Sequence, residues 1–96
     1  MKMPCVYLLA NQPNGTIYVG VTSDLMKRVW QHRNGVIEGF SSKYGLHTLV
    51  WFEQHATMDA AIHREKQIKA GSRKRKVALI ESKNPSWSDL YLGLLQ

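Results

Sequence analysis

The chain has 96 residues, a hydrophobic fraction of 44% and a charged fraction of 21%, which suits one compact core and excludes global disorder. Thirteen Lys and Arg against seven Asp and Glu give a formal charge of +6, and a basic surface attracts polyanions, nucleic acid first among them. The single cysteine, Cys5, excludes an intramolecular disulfide and a multi-cysteine zinc site. No apolar run has the length of a membrane span or the flanks of a secretory leader, so the expected setting is the cytoplasm.

One domain is expected over residues 1–96. Residues 5–10 and 16–22 are rich in Val, Ile, Tyr and Leu and flank Asn11-Gln12-Pro13-Asn14-Gly15, whose Pro and Asn-Gly favour a turn, so they read as a β-hairpin. From Ser23, read as a capping serine, an amphipathic helix is expected to run to Asn34-Gly35. Asp24 falls in its first turn, and Leu25, Met26, Val29 and Trp30 form its apolar side.

Residues 36–44, with Gly, Ser, Phe40 and Lys43, read as a loop near substrate. Residues 46–55 read as a third strand centred on Val50, Trp51 and Phe52. A second helix is expected from Thr57, its N-cap, to Lys69, with Gly71 ending it. Ser72 caps a third that runs to about residue 81 or 82, where Asn84-Pro85 stops it, and residues 86–89 open a short final turn. The expected fold class is α/β of the α+β type: a small, mostly antiparallel three-stranded sheet flanked by helices, in the order β-β-α-β-α-α.

Glu65 breaks the pattern of its helix. Met58, Ala61, Ile62 and Ile68 form one apolar stripe, and the helical period sets Glu65 in its middle. A carboxylate there requires an internal ion pair with Arg or Lys, hydrogen-bond donors, or a metal or catalytic role. Arg28 and His32 are one turn apart on the first helix, beside the apolar stripe, so both can address one ligand or share a solvated face. A guanidinium grips phosphate in bidentate fashion and imidazole titrates near neutral pH. Tyr7 and Tyr18 lie in the paired strands, where their hydroxyls converge if the hairpin register puts them on one face. Seven basic residues between Arg64 and Lys76, against one acid, make a patch.

Together these residues resemble the GIY-YIG nuclease superfamily, most of all its compact, stand-alone bacterial branch. Its two strand motifs read here Cys5-Val6-Tyr7 and Tyr18-Val19-Gly20. Arg28 and His32 follow on the next helix, Glu65 lies in the segment Arg64-Glu65-Lys66-Gln67-Ile68-Lys69, and Asn84 matches the late asparagine. Cys5 and Val19 depart from the motifs' glycine and isoleucine, but neither position supplies a catalytic group.

The resemblance implies a metal-dependent endonuclease that hydrolyses nucleic-acid phosphodiesters, DNA more than RNA, by one-metal in-line attack of water. Under it Glu65 is the metal ligand, for Mg²⁺ or Mn²⁺. Tyr7 is the general base, Tyr18 orients water or phosphate, His32 takes the proton onward from Tyr7 or holds its ring in place, and Arg28 stabilises transition-state charge. Gly20 and Asn84 support the site, and Lys43, Lys69, Arg73, Lys74, Arg75 and Lys76 hold the nucleic-acid backbone. The competing reading is a non-catalytic nucleic-acid-binding module of the same fold. Trp87, Leu90, Tyr91 and Leu94 cover the core or dock a protein partner or second copy.

Overall fold

A computed structural model describes residues 3–36, 39 and 43–95. Strands β1 (Cys5–Ala10) and β2 (Ile17–Thr22) are followed by helix α1 (Leu25–Arg33), strand β3 (Thr48–Gln54), helices α2 (Met58–Ala70) and α3 (Arg73–Glu81), and the short α4 (Tyr91–Leu94). The strands form one antiparallel sheet in the order β2-β1-β3. This is the expected α+β architecture, with one extra helical turn at the end.

Central strand β1 is buried along its whole length, which explains its nearly unbroken apolar run in place of alternation. Its side chains feed two cores. Val6, Leu8 and Ala10 pack with Val19, Val50 and Trp51 of the sheet, Ala61 and Ile68 of α2, and Ile80 of α3. Cys5, Tyr7 and Leu9 pack on the opposite face with Leu25 and Val29 of α1, Leu49, and Tyr91 of α4. The period-two geometry of a strand makes this division automatic.

Helix boundaries follow local chemistry. Thr57 Oγ1 accepts the Ala60 amide at 3.1 Å and Ser72 Oγ accepts the Arg75 amide at 3.2 Å, as expected of N-caps. Gly71 closes α2 through its N–H to the Ile68 carbonyl. The first helix differs from the expectation: its cap is Asp24, whose Oδ1 accepts the Lys27 amide at 3.3 Å. Thr22 Oγ1 accepts the Asp24 amide at 3.0 Å, and that bond fixes the chain's entry into α1 one residue later than Ser23 suggests.

The inward stripe of α1 is also corrected. Leu25, Val29 and His32 are its buried residues, while Trp30 is 50% exposed. The stripe is thus i, i+4, i+7, and His32 belongs inside it. The C-terminal segment covers the molecule's own core, since Trp87 and Tyr91 are buried and Leu90 and Leu94 pack beside Tyr91.

Asn84 fastens that segment to the sheet. Its Nδ2 donates to the carbonyls of Val50 (3.0 Å) and Ser88 (2.9 Å), and its Oδ1 accepts the Ser88 amide at 3.0 Å. Asp89 accepts the Leu49 and Tyr91 amides and pairs with Arg33, tying α1, β3 and α4 together. No helix among the described residues is long and apolar enough to cross a membrane.

Candidate active site

The hairpin register decides where the tyrosines meet. Tyr7 faces Gly20 and Leu9 faces Tyr18 across the β1–β2 pair, so the two tyrosines are diagonal neighbours on one face. Their ring centroids are 6.2 Å apart. His32 completes a triangle, 5.9 Å from Tyr7 and 5.4 Å from Tyr18. Tyr7 Oη and His32 Nε2 are hydrogen-bonded at 3.0 Å, and both residues are nearly sealed from solvent.

Gly20 makes room for this arrangement. A Cβ built there would lie 2.5 Å from Tyr7 Oη and 2.8 Å from Tyr7 Cε1. The Tyr7 ring therefore occupies the space that a side chain at position 20 would take, and the sequence's support residue acts by absence of bulk.

Burial is the main cause of two shifted equilibria. It holds the Tyr7 phenol protonated well above its ordinary range, with Tyr18 and the negative charge of Glu65 adding to the effect and the Arg28 cation opposing it. It also lowers His32 to about 4, helped by the nearby positive charges of Arg28 and His47. His32 is thus neutral at physiological pH. His47 Nδ1 donates to the His32 backbone carbonyl at 3.0 Å, a contact that fixes the end of α1. His47 was not singled out in the sequence, and no local pattern marks it, because the partner is fifteen residues away.

The His32 shift carries a stability consequence. Between pH 6.5 and 4 the unfolded chain binds the proton and the folded protein does not, so folding stability is full above about 6.5 and is lost as pH falls toward 4. A shift of this size corresponds to roughly 3 kcal/mol. Urea unfolding at neutral pH and at about pH 4.5 is expected to show a much steeper loss for the wild type than for His32→Gln. Equal slopes in the two proteins would contradict the assignment.

Glu65 lies on the buried side of α2 between Ala61 and Ile68, as its spacing indicates, with its side chain 13% exposed. The ion-pair alternative is met: Lys69 Nζ lies 3.1 Å from Glu65 Oε2, one helical turn on. Lys69 itself is 54% exposed, so the pair is screened and weak. Among the described residues no group of three or more His, Cys, Asp and Glu gathers to hold a metal ion. One carboxylate with solvent access suits only a hard, mostly hydrated divalent ion that takes its other ligands from water and substrate, and Glu65 fits that requirement.

Arg28 is half-buried and lines a cleft of about 420 Å³ with Thr22, Ser23, Asp24, Lys27 and Gln31. Its charge acts on both Tyr7 and His32. Tyr7, Tyr18 and His32 are therefore in one cluster, with Arg28 and Glu65 close enough to act on it electrostatically. Asn84 stands apart, on the Val50 side of the sheet, and braces the fold.

The basic residues divide. Arg73 Nη2 donates to the carbonyls of Asn14 (2.7 Å) and Gly15 (2.8 Å), fastening α3 to the hairpin turn. Lys76 Nζ donates to the Gly71 carbonyl at 3.2 Å. Lys74 and Arg75 are exposed. Lys43 is exposed, with its ammonium 5.5 Å from the Tyr44 ring centroid, whereas Phe40 and most of the expected loop around it lie outside the described residues.

The GIY-YIG catalytic domain family matches residues 3–78, a span that holds the whole cluster. A UPF0213 protein of Clostridium perfringens is 35% identical over 82 residues, covering 85% of this chain and 87% of the relative. A UPF0213 protein of Staphylococcus saprophyticus is 34% identical over 67 residues, covering 70% and 82%. The solution NMR structure of a UPF0213 protein from Bacillus halodurans is similar across 90% of both chains, with a TM-score of 0.56 and 26% identity. Over most of its length, and through every element that carries the tyrosine cluster and Glu65, this chain belongs to the GIY-YIG catalytic domain family.

Proposed function

We propose that the protein is a divalent-metal-dependent endonuclease that hydrolyses nucleic-acid phosphodiester bonds, with Tyr7, Tyr18, Arg28, His32 and Glu65 as its active site. The observation that carries this reading is the Tyr7–His32 hydrogen bond inside a tyrosine pair, with one cation and one carboxylate acting on the same hydroxyl. A cluster built only for packing has no need of either charge.

Glu65 would hold the ion, Mg²⁺ or Mn²⁺, which when bound supplies positive charge to the phosphate and its leaving oxygen. In the tautomer with Nε2 unprotonated, the Tyr7 hydroxyl donates to His32. Tyr7 then serves as base without first standing as a phenolate: it accepts a proton from the attacking water as its own passes to Nε2. The resulting hydroxide forms the new P–O bond while the bond to the leaving oxygen breaks, and that oxygen takes its proton from solvent. His32 at about 4 is a weak acceptor in the free protein. A phosphodiester anion beside Arg28 offsets one of the charges that depress it and so raises its basicity on substrate binding.

Tyr18 orients the water or the phosphate, and Arg28 stabilises charge that grows on the phosphate oxygens. Lys74 and Arg75, and Lys43 and Lys69 on other segments, offer exposed cations to the flanking backbone. DNA is the preferred substrate of this reading.

The test is cleavage of single-stranded, flapped, branched and duplex DNA, and of RNA, in Mg²⁺, Mn²⁺ or EDTA. Products are expected with either metal and none in EDTA. Binding to these nucleic acids with no metal-dependent product on any of them would replace the nuclease with a binding module.

A further inference from the structure

Three tryptophans are present, and two of them are core residues: Trp51 and Trp87 are 2% and 4% exposed. Trp30 is half exposed although it sits on α1, the helix that carries Arg28 and His32. The helical period places Arg28 on one flank of α1, Lys27 and Gln31 on its outward side, and Trp30 on the other flank. Two clefts follow this path. One contains Arg28 and Gln31, the other, of about 330 Å³, contains Trp30, Met26 and Tyr91, and they share Asp24 and Lys27.

The wall of the second cleft is fixed. The Arg33 guanidinium lies 4.8 Å from the Tyr91 ring centroid and pairs with Asp89, which in turn accepts the Tyr91 amide. Asp24 contributes a carboxylate to both clefts, but its Oδ1 is engaged as the cap of α1. Among the described residues, the cation shared by the two clefts is Lys27. An exposed indole beside a lysine, continuous with the arginine to which the nuclease reading gives the phosphate, has the composition of a single-strand track: charge for the backbone and an aromatic plane for a base.

Resting on the nuclease reading above, we infer that Trp30 is a stacking platform for an unpaired base in the strand whose phosphate Arg28 binds, so that the favoured substrate is single-stranded or has a single-stranded end. A base within a duplex has both faces covered by its neighbours and cannot lie on the indole. The surface is therefore a specificity device as well as a source of affinity.

Trp30 is itself the probe, because the other two indoles are buried. In EDTA, so that nothing is cut, a short oligothymidylate is expected to quench tryptophan emission saturably, whereas a blunt, loop-free duplex of equal length is not. By anisotropy of labelled strands, Trp30→Ala is expected to weaken single-strand binding by about tenfold, with Trp30→Phe keeping most of it and duplex binding unchanged. Single-strand binding with unaltered emission overturns the inference. So does an equal loss on both nucleic acids in Trp30→Ala, or emission that shifts with protein concentration alone, which would put a second copy on this surface. Cleavage that persists under any of these results leaves the nuclease reading standing, whereas failure to bind or cut any nucleic acid removes both.

Discussion

Tyr7→Phe is expected to slow metal-dependent cleavage by about 10²- to 10⁴-fold, the usual contribution of a positioned acid–base group, while the fold persists. The ring fills the same space against Tyr18, His32 and Gly20, so packing is unchanged. What disappears is the hydroxyl bonded to His32 Nε2, which in the proposed mechanism takes the proton of the attacking water. His32 Nε2 loses this buried hydrogen bond, at a cost of about 0.5–1.5 kcal/mol of stability. Circular dichroism and a urea midpoint at neutral pH separate this modest loss from unfolding. Glu65→Gln should also remove cleavage, but added Mn²⁺ should restore part of it, because that defect lies in holding the ion. Tyr7→Phe should not respond to metal. A Tyr7→Phe variant that cleaves at the wild-type rate would take the proton relay out of the mechanism.

Such a contrast depends on geometry that the sequence reveals only in part. The third strand is legible from its own β-branched and aromatic composition although its ladder runs to the distant β1, and the hairpin and the caps Thr57 and Ser72 are legible because each rests on contacts close in sequence. Glu65 was legible for the same reason, since the helical period alone sets it between Ala61 and Ile68. Trp30 and His32 exchanged places. Aromatic hydrophobicity argues for burying the indole, yet the position facing the sheet is the one on the Leu25–Val29 line, and His32 can fill it because Tyr7 supplies a partner for its ring nitrogen.

Long-range partners account for the other differences. Arg73 and Lys76 belong to the basic patch by composition, yet the carbonyls of the hairpin turn and of Gly71 hold their side chains. Asn84, expected from the resemblance to support the site, works by tying residue 88 to β3. In each case the deciding partner is distant in sequence or set by a turn that local propensity does not define. The same limit applied to the tyrosine pair, whose meeting depends wholly on register. A slip of one residue would send Tyr18 to the opposite face.

Gly20→Ala is the sharpest test of that register, and it is expected to reduce both stability and cleavage. The added Cβ would meet Tyr7 Oη at 2.5 Å and Cε1 at 2.8 Å, with the ring's Cζ closer still. A flexible side chain could swing away. Tyr7 cannot easily do so, because its ring is rigid, buried, packed on Tyr18 and hydrogen-bonded to His32. Overpacking of this kind costs about 1–3 kcal/mol. Whatever relief the site finds must carry the hydroxyl off His32, so the cleavage defect should approach that of Tyr7→Phe. Position 20 touches no substrate in this scheme, which makes it a positioning residue. The distinguishing measurement is a double-mutant cycle read in urea: in a Tyr7→Leu background, where the phenol is gone, Gly20→Ala should lose most of its cost. An equal cost in both backgrounds would mean that Gly20 is required by the strand itself, and the fit between glycine and tyrosine would then have no part in building the site.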